Sequence, residues 1–166
     1  DFCSGTGAPG DTACVDVALL NETPVGGLQT SIEIFDPRPG PLCPMCRLKG
    51  NLDYPISVTL TERAAGFQVA WIGEGSRTKI LLFSPSGATI KPGSGPVARV
   101  CYAIGTETPD GAYPMRFEGT VVADPSGVAL HPCPTLVEVV GWLCVSKPGC
   151  DLNGDGISDI RDVVLL

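Results

Sequence analysis

Aromatic side chains are scarce in this chain: Phe, Trp and Tyr together make up 6% of 166 residues. A carbohydrate-binding platform of stacked rings is therefore poorly supplied. Cations are scarce as well, 11 Lys and Arg against 18 Asp and Glu, for a net charge of −7. No basic patch is available for nucleic acid or an anionic lipid surface. No apolar run reaches the length of a membrane-spanning helix. Helix-period segments of useful length are missing before residue 157, so a helical bundle is excluded. There is one histidine, His131, in the turn Leu130-His131-Pro132-Cys133-Pro134. No G-x-S-x-G elbow occurs. Ser94 lies between two glycines in a turn, and Glu62, Glu74 and Glu118 have no spacing that pairs them as acid and base. The chain is therefore expected not to be an enzyme.

What is abundant is turn formers and cysteine. The 21 Gly and 16 Pro punctuate a chain that is 43% apolar, which describes a turn-rich globular domain. The eight cysteines are Cys3, Cys14, Cys43, Cys46, Cys101, Cys133, Cys144 and Cys150. An even number spread along the chain suits disulfides formed in an oxidising, extracellular setting. Cys43-Pro-Met-Cys46 reads as a disulfide staple rather than a redox dithiol or half a zinc site. It lies in a proline-rich loop, and no second C-x-x-C or histidine pair accompanies it. Cys144 and Cys150 flank Lys147-Pro148-Gly149 and form a candidate bridge across that linker. The chain opens Asp1-Phe2-Cys3, from which a processed, exported protein is expected. Asn21-Glu22-Thr23 has the pattern of a glycosylation sequon.

Apolar residues alternate with polar ones along most of the chain, at the period of a half-buried strand. Strands are predicted at 13–19, 28–35, 56–60, 67–72, 79–84, 97–104, 113–122 and 136–145. Val15, Val17 and Leu19 share one face. Ile32 and Ile34 oppose Glu33, and Val100, Tyr102 and Ile104 oppose Arg99, Cys101 and Ala103. Tyr102 and Phe117 fall at core positions, and Trp71 and Trp142 fall within strands. Between the strands lie Asp36-Pro37, Ser84-Pro85-Ser86-Gly87, Lys91-Pro92-Gly93-Ser94-Gly95, Pro109-Asp110-Gly111 and Asp124-Pro125-Ser126-Gly127. Short strands with turns between them predict an all-β fold, an antiparallel β-sandwich over residues 1–146.

The most specific motif follows it. Residues 151–162 place Asp151, Asn153, Asp155, Asp159 and Asp162 at positions 1, 3, 5, 9 and 12 of a twelve-residue loop, with Gly156 at position 6. This is the spacing of an EF-hand calcium loop. Calcium is a hard cation that takes six to eight oxygens. Alternate side chains of such a loop converge on one centre, the glycine permits the sharp turn, and the backbone carbonyl of Ile157 serves as the position 7 ligand. Ile160, Val163 and Val164 then share one helical face, and Arg161 and Leu165 complete a short segment that needs the metal or an apolar surface to be stable. The segment from Asp151 carries four Asp and one Arg, −3 of the net charge. Ca2+ is the one cofactor expected.

The order of features over residues 8–146 resembles that of a cohesin module. It runs from Gly10-Asp11-Thr12 before a Val-x-Val strand, through Asn21, to Val25-Gly26-Gly27-Leu28-Gln29 and Phe35-Asp36-Pro37. It continues with Leu82-Phe83-Ser84 and with Ile90, Gly93, Gly95, Val97 and Ala98 ahead of the Val100-x-Tyr102 strand. Gly111-x-Tyr113, Val122-x-Asp124-x-x-Gly127 and the strand from Val139 to Val145 close the series. The resemblance implies a jelly-roll β-sandwich that is not an enzyme and binds dockerins outside the cell. The cysteines and the loop at 37–46 depart from the cohesin pattern. Residues 147–166, a linker plus calcium loop and helix, resemble one half of a dockerin, a family that places Asp at loop position 12 as Asp162 is here. In that family positions 10 and 11, here Ile160 and Arg161, help choose the partner. With Val163, Val164 and Leu165 they form the expected docking surface. A chain that carries both halves of an interaction is expected to self-associate head-to-tail, the tail of one subunit on the sandwich of the next. The alternatives are an adaptor for other dockerin-bearing proteins and a carbohydrate-binding module.

Overall fold

A computed structural model describes residues 5–35, 52–74, 77–109, 111–130 and 141–145, with backbone alone at 52–54, 74 and 141–145. Among the described residues nine strands form two sheets: β1 Gly5–Gly7, β2 Thr12–Asn21, β3 Gly27–Ile34, β4 Leu52–Leu60, β5 Gln68–Glu74, β6 Arg77–Phe83, β7 Gly93–Ile104, β8 Gly111–Ala123 and β9 Gly141–Val145. One sheet has the order β1-β9-β8-β3-β6-β5 and the other β2-β7-β4. All these pairings are antiparallel except β1 with β9, and the two sheets make the β-sandwich expected from the alternation, in the jelly-roll form that the cohesin resemblance implies.

Each predicted strand is present among the described residues, with Phe35, Phe67 and Ser84 falling one position outside β3, β5 and β6. The periodicity that marked them also decides which side chains are buried. Val15, Val17 and Leu19 from β2 meet Val100, Tyr102 and Ile104 from β7 on the inner face of the small sheet. Leu28, Ile32 and Ile34 from β3, Ile80 and Leu82 from β6, and Tyr113, Met115 and Val122 from β8 supply the facing layer. Each of these side chains is almost fully withdrawn from water. At roughly 25 cal/mol per Å2 of apolar surface, such burial is the main favourable term holding the sheets together. The polar atoms caught in this layer find one another. Thr30 and Thr120 hydroxyls lie 2.7 Å apart beside the register shift between β3 and β8, and Thr78 Oγ1 meets Tyr102 Oη at 3.1 Å.

Two elements carry no alternating apolar signal. β1 is Gly-Thr-Gly, held by β9 in parallel register. A single 3-10 turn at Glu62–Ala64 connects β4 to β5. The Asp124-Pro125-Ser126-Gly127 turn forms as predicted. Asp124 Oδ1 accepts bonds from the Ser126 amide and hydroxyl and from the Val128 amide, and Gly127 takes φ +85°, a conformation side chains disfavour. The Ser126 hydroxyl, then the Val128 amide, holds the Asp124 carboxyl below its ordinary range. Gly26 packs against this turn so closely that an added Cβ would stand 2.5 Å from the Asp124 carbonyl oxygen.

Candidate functional site

The larger sheet turns one side inward and the other to solvent. Across β8, β3, β6 and β5 the register aligns Val121, Gln29, Leu81 and Ala70 in one outward row. The next row towards one end is Ala123, Gly27, Phe83 and Gln68, and towards the other Glu118, Ser31, Lys79 and Ile72. Ile72, Leu81 and Phe83 are thus neighbours on one surface, with exposures of 55, 40 and 37%, and Val121, 46% exposed, stands on the same surface across Gln29. A contiguous apolar patch edged by polar side chains is the mark of an interaction surface. The outward side of the small sheet differs. It carries a disulfide between Cys14 and Cys101 and, on the next pair of β2 and β7, a two-bonded Asp16–Arg99 salt bridge at 2.7 and 3.0 Å. That carboxylate's hydrogen bond, then its charge, raises the Arg99 pKa.

A charge network closes one end of the patch. Glu33 sits opposite Arg77 on β6 and opposite Arg116 on β8. It faces outward by register and is nevertheless only 1% exposed. The two guanidinium groups approach its carboxylate at 3.5 Å each. Glu118 bonds Arg77 at 2.7 Å and also pairs with Arg116, whose guanidinium lies 4.6 Å from the centre of the Phe35 ring. Two cations and two anions thus neutralise one another. The long arginine stems can cover the carboxylate while their charged ends stay wet. The alternation identified Glu33 as polar, but only the register brings its partners beside it.

A second network ties the rim of the sandwich. Arg63, from the 3-10 turn, donates to the carbonyls of Leu19 (2.8 Å), Gly95 (3.2 Å), Lys91 (3.3 Å) and Gly93 (2.6 Å) and to Asn21 Oδ1 (2.5 Å). Partial burial lowers its pKa. Asn21, only 2% exposed, donates through Nδ2 to the carbonyls of Thr23, Lys91 and Ile90. The sequon nitrogen is committed to these three bonds, and a glycan on it would displace them. Nothing in the local sequence around Arg63 signals this role, because its acceptors lie 28 to 44 positions away.

Of the cysteines, Cys14 and Cys101 are joined, and the Cys144 backbone lies in β9 opposite Ala112 and Thr6. Cys3, Cys43, Cys46, Cys133 and Cys150 lie outside the described residues, as do His131 and the whole segment Asp151 to Leu166 with its calcium and docking positions. Among the described residues no three His, Cys, Asp or Glu side chains gather as a metal site requires. No described helix is long and apolar enough to cross a membrane. The ring side chains are mostly core: Phe35, Phe67, Tyr102 and Tyr113 are buried, and Trp71 and Phe83 are at least one third exposed but on opposite sides of their sheet.

No protein-family model matches this chain, and no curated protein does. Solved structures do. The sixth cohesin of Acetivibrio cellulolyticus scaffoldin B, solved in complex with a dockerin, superposes with a TM-score of 0.60 at 13% identity, covering 87% of this chain and 95% of that one. A type I cohesin–dockerin complex from Clostridium thermocellum gives 0.60 at 17% identity, with 87% and 95% covered. A non-cellulosomal cohesin from the hyperthermophilic archaeon Archaeoglobus fulgidus gives 0.59 at 14% identity, with 87% and 88% covered. The sandwich has the cohesin fold. At such low identity it is the two-sheet arrangement that is shared. The cohesin-like body of this chain keeps it with its own outward residues, the patch and the charge network among them.

Proposed function

We propose that this chain is a non-catalytic, extracellular docking module of cohesin type, whose outward sheet surface receives a dockerin-like partner. The exposed strip of Ile72, Leu81, Phe83 and Val121 carries this reading, since a folded body gains nothing from holding four large apolar side chains on one face in water. The solved cohesins captured with dockerins support it. The partner we favour is the C-terminal segment of another copy. Its loop would hold Ca2+ through Asp151, Asn153, Asp155, the Ile157 carbonyl, Asp159 and Asp162, and would present Ile160, Arg161, Val163, Val164 and Leu165 to the strip. The ion's part there is structural. A contact between unlike surfaces that does not close a ring propagates into a filament.

Light scattering on the full chain, in calcium and in chelator, tests this. Calcium is expected to give assemblies far larger than 17.2 kDa that fall apart in chelator. Leu81→Asp is expected to prevent them while leaving the melting temperature within a few degrees of wild type, since the side chain is exposed. Particles of unchanged size in both conditions would rule out head-to-tail assembly. Capture of a foreign dockerin-bearing protein by wild type, and not by Leu81→Asp, would then favour the adaptor reading.

A further inference from the structure

Among the described strands four lie at sheet edges, and three of them are protected against pairing with another chain. β1 is three residues long. β2 faces a register shift at Val17 and Ala18, where β7 inserts Val97, and it carries a charged residue, Asp16, near its middle. β4 contains Pro55 and two register shifts. β5 has none of these devices. All seven of its residues pair with β6 without a shift, it contains no proline and no lysine, and its single charge is Glu74 at the end. Its other edge has no neighbour among the described strands. Trp71 and Ile72, in the middle of the run, are 40 and 55% exposed. A straight apolar edge is a template for a further strand, and natural sheets normally blunt it.

We propose that β5 pairs antiparallel with β5 of a second copy, centred on Trp71. The strand is complementary to itself in that register. Trp71 would lie opposite Trp71, Val69 opposite Gly73, Ala70 opposite Ile72 and Gln68 opposite Glu74. Each large side chain flanking the centre meets a small one, and the two glutamates face glutamines rather than each other. Shifting the register by two brings Ile72 opposite Ile72 or Ala70 opposite Ala70 and loses both matches. Because each copy has one β5, the assembly closes at two. The dyad of an antiparallel pair stands perpendicular to the sheet, so both outward patches face the same way. The pair is therefore bivalent towards any surface or polymer that carries several copies of the docking partner, and that raises avidity without a new contact. The dimer does not depend on the docking reading, and it needs no calcium.

Sedimentation equilibrium on the full chain, in chelator so that the calcium-dependent association is switched off, tests the inference. Wild type is expected to run from monomer to dimer and no further. Gln68→Lys, which sets a lysine opposite each Glu74, is expected to tighten the dimer roughly fivefold, and Gln68→Glu to weaken it by a similar factor. Ile72→Lys is expected to leave a monomer. Both side chains replaced are exposed, so the folded monomer survives each of the three changes. A wild type that stays monomeric to about 1 mM overturns the proposal. So does a dimer whose strength ignores residue 68.

Discussion

Two residues illustrate how much a single side chain can hold. Arg63 satisfies four carbonyls and an amide oxygen at the open end of β2 and β7. Its removal leaves those acceptors to be satisfied by water at a partly closed site. Arg63→Ala is expected to cost roughly 2–3 kcal/mol in urea unfolding. Arg63→Lys should recover little of it, because an ammonium cannot span acceptors laid out for a planar fork. Tyr102 is the second. Burial pushes its phenol from 10.0 up to about 12, against the smaller opposing effect of the Thr78 hydroxyl. The folded state therefore holds the proton more tightly than the unfolded chain. The associated stability is whole below pH 10 and is lost as pH rises from there to about 12. The loss amounts to about 2–3 kcal/mol over that window. Tyr102→Phe is expected to flatten this part of the stability curve. Equal slopes for the two proteins would show that Tyr102 is not the group responsible.

Elements show where local sequence suffices and where it does not. β2, β3, β6, β7 and β8 were legible because one face packs apolar side chains on the core and the other bears mostly polar ones, which imposes a period of two on the sequence. β1 and the 3-10 turn were not, because Gly-Thr-Gly has no apolar side chain to alternate and three residues are too few for a helical period. The cysteine count shows the same limit. Eight cysteines allow 105 pairings, and it is the register of β2 on β7 that sets Cys14 against Cys101, 87 positions apart. This bond staples an outer strand to the middle strand of the small sheet. Replacing both residues by serine is expected to lower stability by roughly 2–4 kcal/mol, measured by denaturant unfolding under non-reducing conditions. A pair of serines as stable as wild type would mean that the strand pairing itself carries the load.

For the whole molecule, the two sides of the sandwich are chemically distinct. One outward face is tied down by a disulfide and a salt bridge, and the other carries the apolar strip and a neutral charge network at its end. The head-to-tail and edge-to-edge contacts proposed above share Ile72, but calcium bears on the first alone and the charge at residue 68 on the pairing of β5. The strip was not visible in the alternation, which marks the buried positions of a strand and leaves the outward ones to chance. Ile72, Leu81, Phe83 and Val121 become one surface only when four strands are laid side by side. By itself the amino-acid sequence determined the all-β class, every strand but β1, most of the core and the calcium-loop spacing, because each is written in neighbouring residues. Tertiary structure alone decided the burial of Glu33, the acceptors of Arg63, the commitment of Asn21, the Cys14–Cys101 pair and the exposed edge of β5. Each of those depends on which strands are neighbours and in what register, and that is settled by closing the two sheets around a common core.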